Sequence, residues 1–589
     1  MQTRNNIIDF FKGIAIIAVI LYHAGLFTYG YLGVDIFLVV GGYLITKSIT
    51  RAYQKDGFSY WNYICNRLVR LWPLALVITI VSLAVGYFTM LPDGYKNACE
   101  TAIGTATFTN NFIQYITAGN YWDTSNDFKP LMHTWYLGVV FQFYVVYPLI
   151  FMACYRCSKK FILASTRVLW IVFAGSLAFY ILHQDDIALN FYMLPSRLFE
   201  FAAGGLVALR STNGVAVNNS RKYILPWLMG IAIILLFTNA SLETKKVRLI
   251  FTVILTVLVI LYSEKYSTDT IKLNWGGRKF VNVVAFLGMA SYSLYLWHQP
   301  ILAFYRNIID NDFTVWSYLN TLILSIICGL ASYKVLEQFV ASYTKGNSKR
   351  KRMVLGLSFL TTLLIITFSI KYYRTQGVVR DIPELDVRVD DPKTFAPQEY
   401  NARISVLYNK PFPSAKNGKK NVLVVGDSYA RDWINVILES KINDINLVYS
   451  QNIANDLRQK IAQADIIFVA NNATIDQYVD YLPAMMKKRF FRVGHKCFDG
   501  GVCGIYNQAR LTGDYIQKMP AIVDNINKDE RIEYEGMYIN LMDSISDSDG
   551  KVSLFTKNRK LISHDGLHLT KAGAQEFARR IDIKHLLEE

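Results

Sequence analysis

Apolar residues are distributed unevenly along this chain, gathering into long runs over roughly the first 370 of its 589 positions. A helix that crosses a bilayer needs about 20 mostly apolar residues. Eleven stretches meet that need, at approximately 7–27, 33–50, 71–90, 132–153, 167–183, 196–210, 223–240, 247–263, 281–305, 316–337 and 353–371. The segment 97–117 is too polar to join them. The last 170 or so positions read as an ordinary mixed globular sequence. The chain therefore divides into a membrane part and a soluble part. The first stretch carries Lys12 and His23 and is too long for the core of a signal peptide, so it reads as a first membrane helix.

The net charge of +17 does not point to nucleic acid. Nucleic-acid binding calls for a basic patch with interleaved aromatics, whereas much of the basic charge here sits in short loops between apolar runs. Lys and Arg mark the cytoplasmic loops. Arg51, Lys55, Arg67 and Arg70, then Arg156, Lys159 and Lys160, then Arg210, Arg221 and Lys222 fall on one side, as do Lys345, Lys349, Arg350, Lys351 and Arg352. Asp93, Asp123, Asp127, Asp185, Asp186, Asp310 and Asp312 fall on the other, against one exception at Lys245, Lys246 and Arg248. The N-terminus is then inside, and eleven crossings leave the C-terminal domain outside. Residues 372–420, with five prolines and no long apolar run, read as a linker.

Of seven cysteines, only Cys497 and Cys503 lie in the soluble part. Outside the cytoplasm a disulfide between them is plausible; two unrelated thiols are the alternative. Their Cys-x5-Cys spacing without histidines does not suggest zinc, and no metal site is expected.

Ionisable residues within membrane helices are costly and mark function by default. Lys12 and His23 are eleven positions apart and share a helix face about 16 Å apart along the axis. Asp35, early in the second span, returns to the depth of His23, where a carboxylate could orient the imidazole. The bland alternative has Lys12 snorkelling to the interface and His23 in a polar corner. Arg67 and Arg70 precede Pro73 at the inner start of the third span, a cluster suited to phosphates but also explained by topology alone. His133 opens the fourth span, and Arg197 and Glu200 are i,i+3 neighbours able to pair.

These residues carry a family resemblance. Lys12-x10-His23, Gly33-Val-Asp-Ile-Phe with Gly42-Tyr-Leu-Ile, Arg67-x2-Arg70-x2-Pro73, His133-Thr-Trp-Tyr-Leu, Gln142-Phe-Tyr, Arg197-x2-Glu200 and Ser291-Tyr-Ser-Leu-Tyr-Leu-Trp-His298 occur in order. Residues 1–340 thereby resemble the acyltransferase-3 family, integral-membrane O-acyltransferases that modify bacterial surface glycans. The resemblance implies that His23 is catalytic, that Lys12 fills a basic position usually held by Arg, and that Arg67 and Arg70 engage a cytoplasmic acyl-CoA. Asp35, His133, Arg197 and Glu200 would support them. A Glu pair usual before Gln-Phe-Tyr is replaced by Val140 and Phe141.

In the soluble part, Asn421-Val-Leu-Val-Val425 reads as a buried parallel strand, with Gly426-Asp427-Ser428 at the turn into a helix. A serine there is exposed, and the helix N-terminus stabilises negative charge beside it. Further strands are expected at about 445–449, 465–470 and 535–540, giving an α/β/α sandwich. Near the end, Asp565 and His568 lie three apart in a loop, a spacing that presents imidazole and carboxylate together. The two segments resemble the SGNH hydrolases. That resemblance implies Ser428 as nucleophile, His568 as base, Asp565 as its partner, and an oxyanion donor at Asn472, or else Asn471; no second-block glycine is evident.

The expected architecture is a polytopic α-helical membrane domain of about 10 helices at 1–340, a basic loop and linking helix at 341–371, the linker at 372–420, and an SGNH-like α/β/α domain at 421–589. The resemblances imply a multi-pass protein of the bacterial cytoplasmic membrane with its C-terminal domain periplasmic or otherwise outside. It would pass an acyl group, most simply acetyl from acetyl-CoA, to a glycan or lipid-linked glycan acceptor, with no bound cofactor and no nucleic acid. The rival readings are a glycan esterase with a membrane anchor and a lipid-linked glycan transporter.

Overall fold

The computed structural model describes residues 6–55, 57–117, 126–212, 224–238, 245–263, 275–309, 313–391, 397–413, 418–472, 475–498, 501–512, 516–518 and 521–588. The loop charges Asp123, Arg221, Lys222, Asp310 and Asp312 lie outside them. The chain forms two compact units, one of Met1–Phe88, Asn97–Arg306 and Asp312–Tyr373, the other of Thr89–Lys96, Asn307–Asn311 and Arg374–Glu589.

The first unit is helical. Helices α1 (Asn6–His23), α2 (Gly33–Gln54) and α3 (Tyr60–Thr89) open it. Among the described residues seven helices are long and apolar enough to span a membrane, or eight if the bent pair Gly277–Met289 and Ser291–Ile308 is one span. Eleven were expected, and the differences have causes. Helix Leu194–Thr212 carries Arg197, Glu200 and Arg210, and the stretches near 223–240 and 247–263 form shorter apolar helices, Ile224–Leu236 and Val247–Ser263. The expected straight span at 281–305 is instead two helices meeting at 74° around Ala290. Arg67 and Arg70 lie within α3 rather than before it, because the helix runs through Pro73 from Tyr60.

Burial separates inner from outer helices. The apolar stretch within 30–54 has 72% of its residues buried, whereas that within Phe161–Leu182 has only 17% and shows Trp170 and Ile171 outward. Such exposed apolar surface is what lipid covers. Inside, α2 packs on Leu194–Thr212 through glycine: a side chain on Gly42 would strike the backbone of Phe201, and one on Gly204 the backbone of Val39. Small residues let membrane helices approach closely.

The second unit is built on a parallel five-stranded sheet, ordered β2-β1-β3-β4-β6, from β1 (Lys420–Gly426), β2 (Ile445–Gln451), β3 (Ile466–Ala470), β4 (Arg489–Val493) and β6 (Tyr538–Ile539). β5 (Ile516–Lys518) and β7 (Lys551–Ser553) form a separate antiparallel pair. Register follows the apolar pattern, with Val422 opposite Ile466 and Gly426 opposite Ala470. Alternate side chains face opposite sides of a strand. Leu423, Val425, Ile467 and Val469 pack with Leu457 and Ile461 on one face, while Phe468 meets Trp433 of the helix Ser428–Glu439 on the other. Both faces are thus covered, as near-continuous apolar strands require.

Part of the stretch 372–420, read as a linker, packs within the second unit. Helix Pro397–Tyr408 packs on the helix Ser428–Glu439, where Asn401 donates to the Ser428 carbonyl at 2.9 Å and to Asp432 at 2.6 Å. No disulfide joins any of the described cysteines, and Cys503 Sγ lies 3.2 Å from the carbonyl of Thr89.

Candidate functional site

In an open parallel sheet, ligands bind beyond the carboxyl ends of the strands where strand order reverses. Here β1 is followed by β2 on one side and β3 on the other, so the switch lies at the exits of β1 and β3. Ser428 stands at the first exit and Asn471 and Asn472 at the second. Gly426 makes the approach possible: its φ is +146°, and a Cβ would collide with the carbonyl of Ala470. Asp427 then caps the helix, accepting from Tyr429 N at 2.9 Å through Oδ1 and from Asn472 N at 2.9 Å through Oδ2.

The loop before the final helix Lys571–Arg580 supplies the other two groups. Asp565 Oδ1 accepts from the backbone N–H groups of Leu567 and His568 at 2.9 and 2.8 Å, an Asx-type turn that fixes the carboxylate. Asp565 Oδ2 lies 2.5 Å from His568 Nδ1, and His568 Nε2 lies 2.9 Å from Ser428 Oγ. This is the geometry in which an imidazole takes a proton from a serine while a carboxylate holds its tautomer. Burial by itself raises the proton affinity of Asp565, but His564, His568 and the hydrogen bonds to it hold the carboxyl far below the usual range. His564, Asp565 and His568 bring their donor atoms within 4.8 Å of one another. Both ring nitrogens of His568 face the side chains of Asp565 and Ser428.

A buried ion pair ties the histidine loop to the serine helix, and sequence gave no hint of it. Lys496 Nζ lies 2.8 Å from Asp432, donates to the Leu567 carbonyl at 2.6 Å and sits 3.6 Å from the Tyr429 ring centre. Asn471 is buried, its amide oxygen accepting from Arg492 at 2.6 Å, and Arg492 pairs with Glu530 at 2.7 Å. Asn472 is exposed.

In the first unit, Lys12, Arg67 and Arg70 face one cavity of about 160 Å³ among Tyr136, Tyr144 and Tyr295. Lys12 pairs with Asp9 at 3.5 Å, and the Arg67 guanidinium lies over the rings of Tyr63 and Tyr144. Arg70 also lines a second cavity of about 570 Å³ with Glu337, Lys345 and Lys351. Glu337 ends a π-helical turn, Tyr333–Glu337, a feature frequent at functional sites.

Three histidines distant in sequence meet beyond Tyr295. The His298 ring centre is 5.1 Å from that of His23 and 5.2 Å from that of His133, and Tyr295 donates to the His133 carbonyl at 2.7 Å. His298 Nδ1 is 2.5 Å from the Tyr295 carbonyl, leaving Nε2 without a partner. In the sequence His298 stands out only as the end of the motif that begins at Ser291. The expectation that Asp35 orients His23 is corrected: Asp35 pairs instead with Arg197 at 2.6 Å, and Arg197 also holds Glu200 at 3.0 Å. A guanidinium in low dielectric claims a carboxylate more strongly than a neutral imidazole does.

A family profile described as an acyltransferase domain, acyltransferase-3, matches residues 5–334, more than half the chain. The chain belongs to the acyltransferase-3 family. It is 27% identical over 460 residues to a Staphylococcus aureus protein named "Putative O-acetyltransferase SAR0937", covering 72% of this chain and 74% of that one. It is 26% identical over 349 residues to "Putative membrane-bound transacylase BcsY" of Komagataeibacter xylinus, covering 58% and 84%. It is 24% identical over 347 residues to the peptidoglycan O-acetyltransferase OatA of Listeria monocytogenes, covering 56% and 54%. No solved structure matches. As a member of this family, the acyltransferase-3 protein described here is an acyltransferase with several membrane-spanning helices.

Proposed function

We propose that this protein carries an acyl group, most simply acetyl, from cytoplasmic acyl-CoA to a hydroxyl of an extracytoplasmic glycan such as O-antigen, capsule or peptidoglycan. The observation that carries this reading is the cavity of Lys12, Arg67 and Arg70, which shares Tyr295 with the cluster of His23, His133 and His298. Arginines suit phosphates, and an aromatic slot suits the thin pantetheine arm and its acyl end. His23 acts as the base of the membrane step. Arg70 adds a nucleotide seat through the second cavity, with Lys345 and Lys351. The name of the Listeria relative supports a glycan acceptor.

The second unit is read as an SGNH-like domain at the outer face of a bacterial cytoplasmic membrane, where it completes the transfer. Ser428 Oγ attacks the acyl carbonyl while His568 Nε2 takes its proton and returns it to the leaving group. A sugar hydroxyl then attacks the acyl-serine, its proton passing through His568 to Ser428 as the ester breaks. One of Asn471 and Asn472, at the exit of β3, donates to the oxyanion.

Mass spectrometry of surface glycans tests the reading in cells with the gene intact, deleted or carrying His23→Ala. An acyl increment lost in both altered strains supports it. An increment that rises on deletion makes the protein a deacylase and overturns it. Full transfer by purified Ser428→Ala protein removes the serine step.

A further inference from the structure

A second acid and a second imidazole stand behind the serine site and take part in none of the steps above. His564 Nδ1 lies 2.8 Å from Asp93 Oδ2, and its Nε2 lies 3.9 Å from Asp565 Oδ2. The ring is buried, nearly parallel to His568 at 6.3 Å between centres, and its Nε2 makes no hydrogen bond. Asp93 lies 471 positions earlier, in the first turn of α4 (Pro92–Ala106), within the stretch Thr89–Lys96 that belongs to the second unit.

The charged and titratable groups facing His564 come from three elements. Asp93 comes from α4, Asp565 and His568 from the loop before the last helix, and Asp432 from the helix Ser428–Glu439, its charge answered by Lys496. Burial alone weakens proton binding by His564, but Asp565 and Asp93 outweigh it and push the imidazole up to about 9. At neutral pH one cation is bracketed by two carboxylates.

We propose that Asp93 and His564 are positioning residues of the serine site, a charged second tier that anchors Asp565 and shares its negative charge. Asp565 attracts a proton to His568, and His568 must be neutral to accept the proton of Ser428. A cation 3.9 Å from the same carboxylate oxygen offsets part of that attraction, through a buried region where charges act strongly. The site therefore keeps working at lower pH than the Asp565–His568 pair alone would permit. Removing Asp93 takes away one of the two carboxylates that keep His564 charged, together with its hydrogen bond, and weakens the offset. This inference rests on the proposed role of Ser428.

The test is the pH profile of kcat/KM for p-nitrophenyl acetate with the full-length protein in detergent. Ser428→Ala comes first: turnover that survives it defeats the serine reading and this inference together. Once Ser428-dependent turnover is in hand, His564→Gln and Asp93→Asn should each move the acid limb upward by roughly one pH unit. Asp93→Glu, which restores the charge, should return the limb toward that of the wild type. Acid limbs that stay at the wild-type position, whatever the loss of rate, overturn the inference and leave the pair a merely structural role. Asp93→Asn is nearly isosteric, and its side chain is 20% exposed, so it decides the matter even where His564→Gln fails to fold.

Discussion

The hydroxyl of Ser428 lies 2.9 Å from Nε2 of His568, 140 positions further along the chain. Strand β1 delivers the serine and a tight Asx-type turn delivers the histidine, so the contact depends on the sheet and on the Lys496–Asp432 pair together. Ser428→Ala removes only the hydroxyl oxygen that faces His568. Turnover of p-nitrophenyl acetate should fall by about a thousandfold or more, with the thermal midpoint of the purified protein nearly unchanged.

The cationic cavity makes a separate prediction. Arg67 and Arg70 present guanidinium groups suited to bidentate phosphate contact. Arg67→Ala and Arg70→Ala should each weaken acyl-CoA binding by about tenfold or more, the scale of one lost charge-assisted contact. Arg→Lys replacements should recover only part of it. Isothermal titration with acetyl-CoA measures both, and unchanged affinity in all four variants would remove these residues from the donor site.

Arg197 is shared by Asp35 and Glu200, both buried. Arg197→Met strands two carboxyl groups in the membrane unit and should cost about 3–5 kcal/mol. The triple replacement with Asp35→Asn and Glu200→Gln should recover much of that loss, because no unpaired charge remains. Thermal unfolding in detergent, followed by tryptophan fluorescence, compares the two.

The His564–Asp93 pair also links stability to pH. Its folded imidazole is held up to about 9, above the ordinary value of about 6.5. A raised value means the contribution is fully present below about pH 6.5 and is lost as pH rises through 9. Asp565 has the opposite sign: its contribution is present above the ordinary carboxylate range, is lost only in strong acid and stays constant across this window. The second unit should therefore lose stability between pH 6.5 and 9.5, and Asp93→Asn should flatten that slope. Scanning calorimetry of both proteins across the window checks it.

Local pattern announced much of this protein. Long apolar runs require a membrane, because no other surroundings accept helices such as Phe161–Leu182 with most of their surface uncovered. A β-branched run ending in Gly-Asp-Ser leads to a strand, a sharp turn and a helix, since each preference is set within a few residues. Asp565 and His568 were legible for the same reason, their spacing being closed by one turn of backbone.

Contacts between distant segments were not legible. Asp35 was matched to His23 by depth alone, whereas the close packing at Gly42 and Gly204 brings Arg197 to it. His298 and His133 carry no local mark that they would flank His23, nor Lys496 that it would pair with Asp432, nor Asp93 that it would hold His564. Side-chain periodicity and turn chemistry are local properties and survive in the sequence. The partner of a buried charge is chosen by which segments the packed chain brings together, where removal from water makes pairing obligatory, and only the tertiary structure decides that.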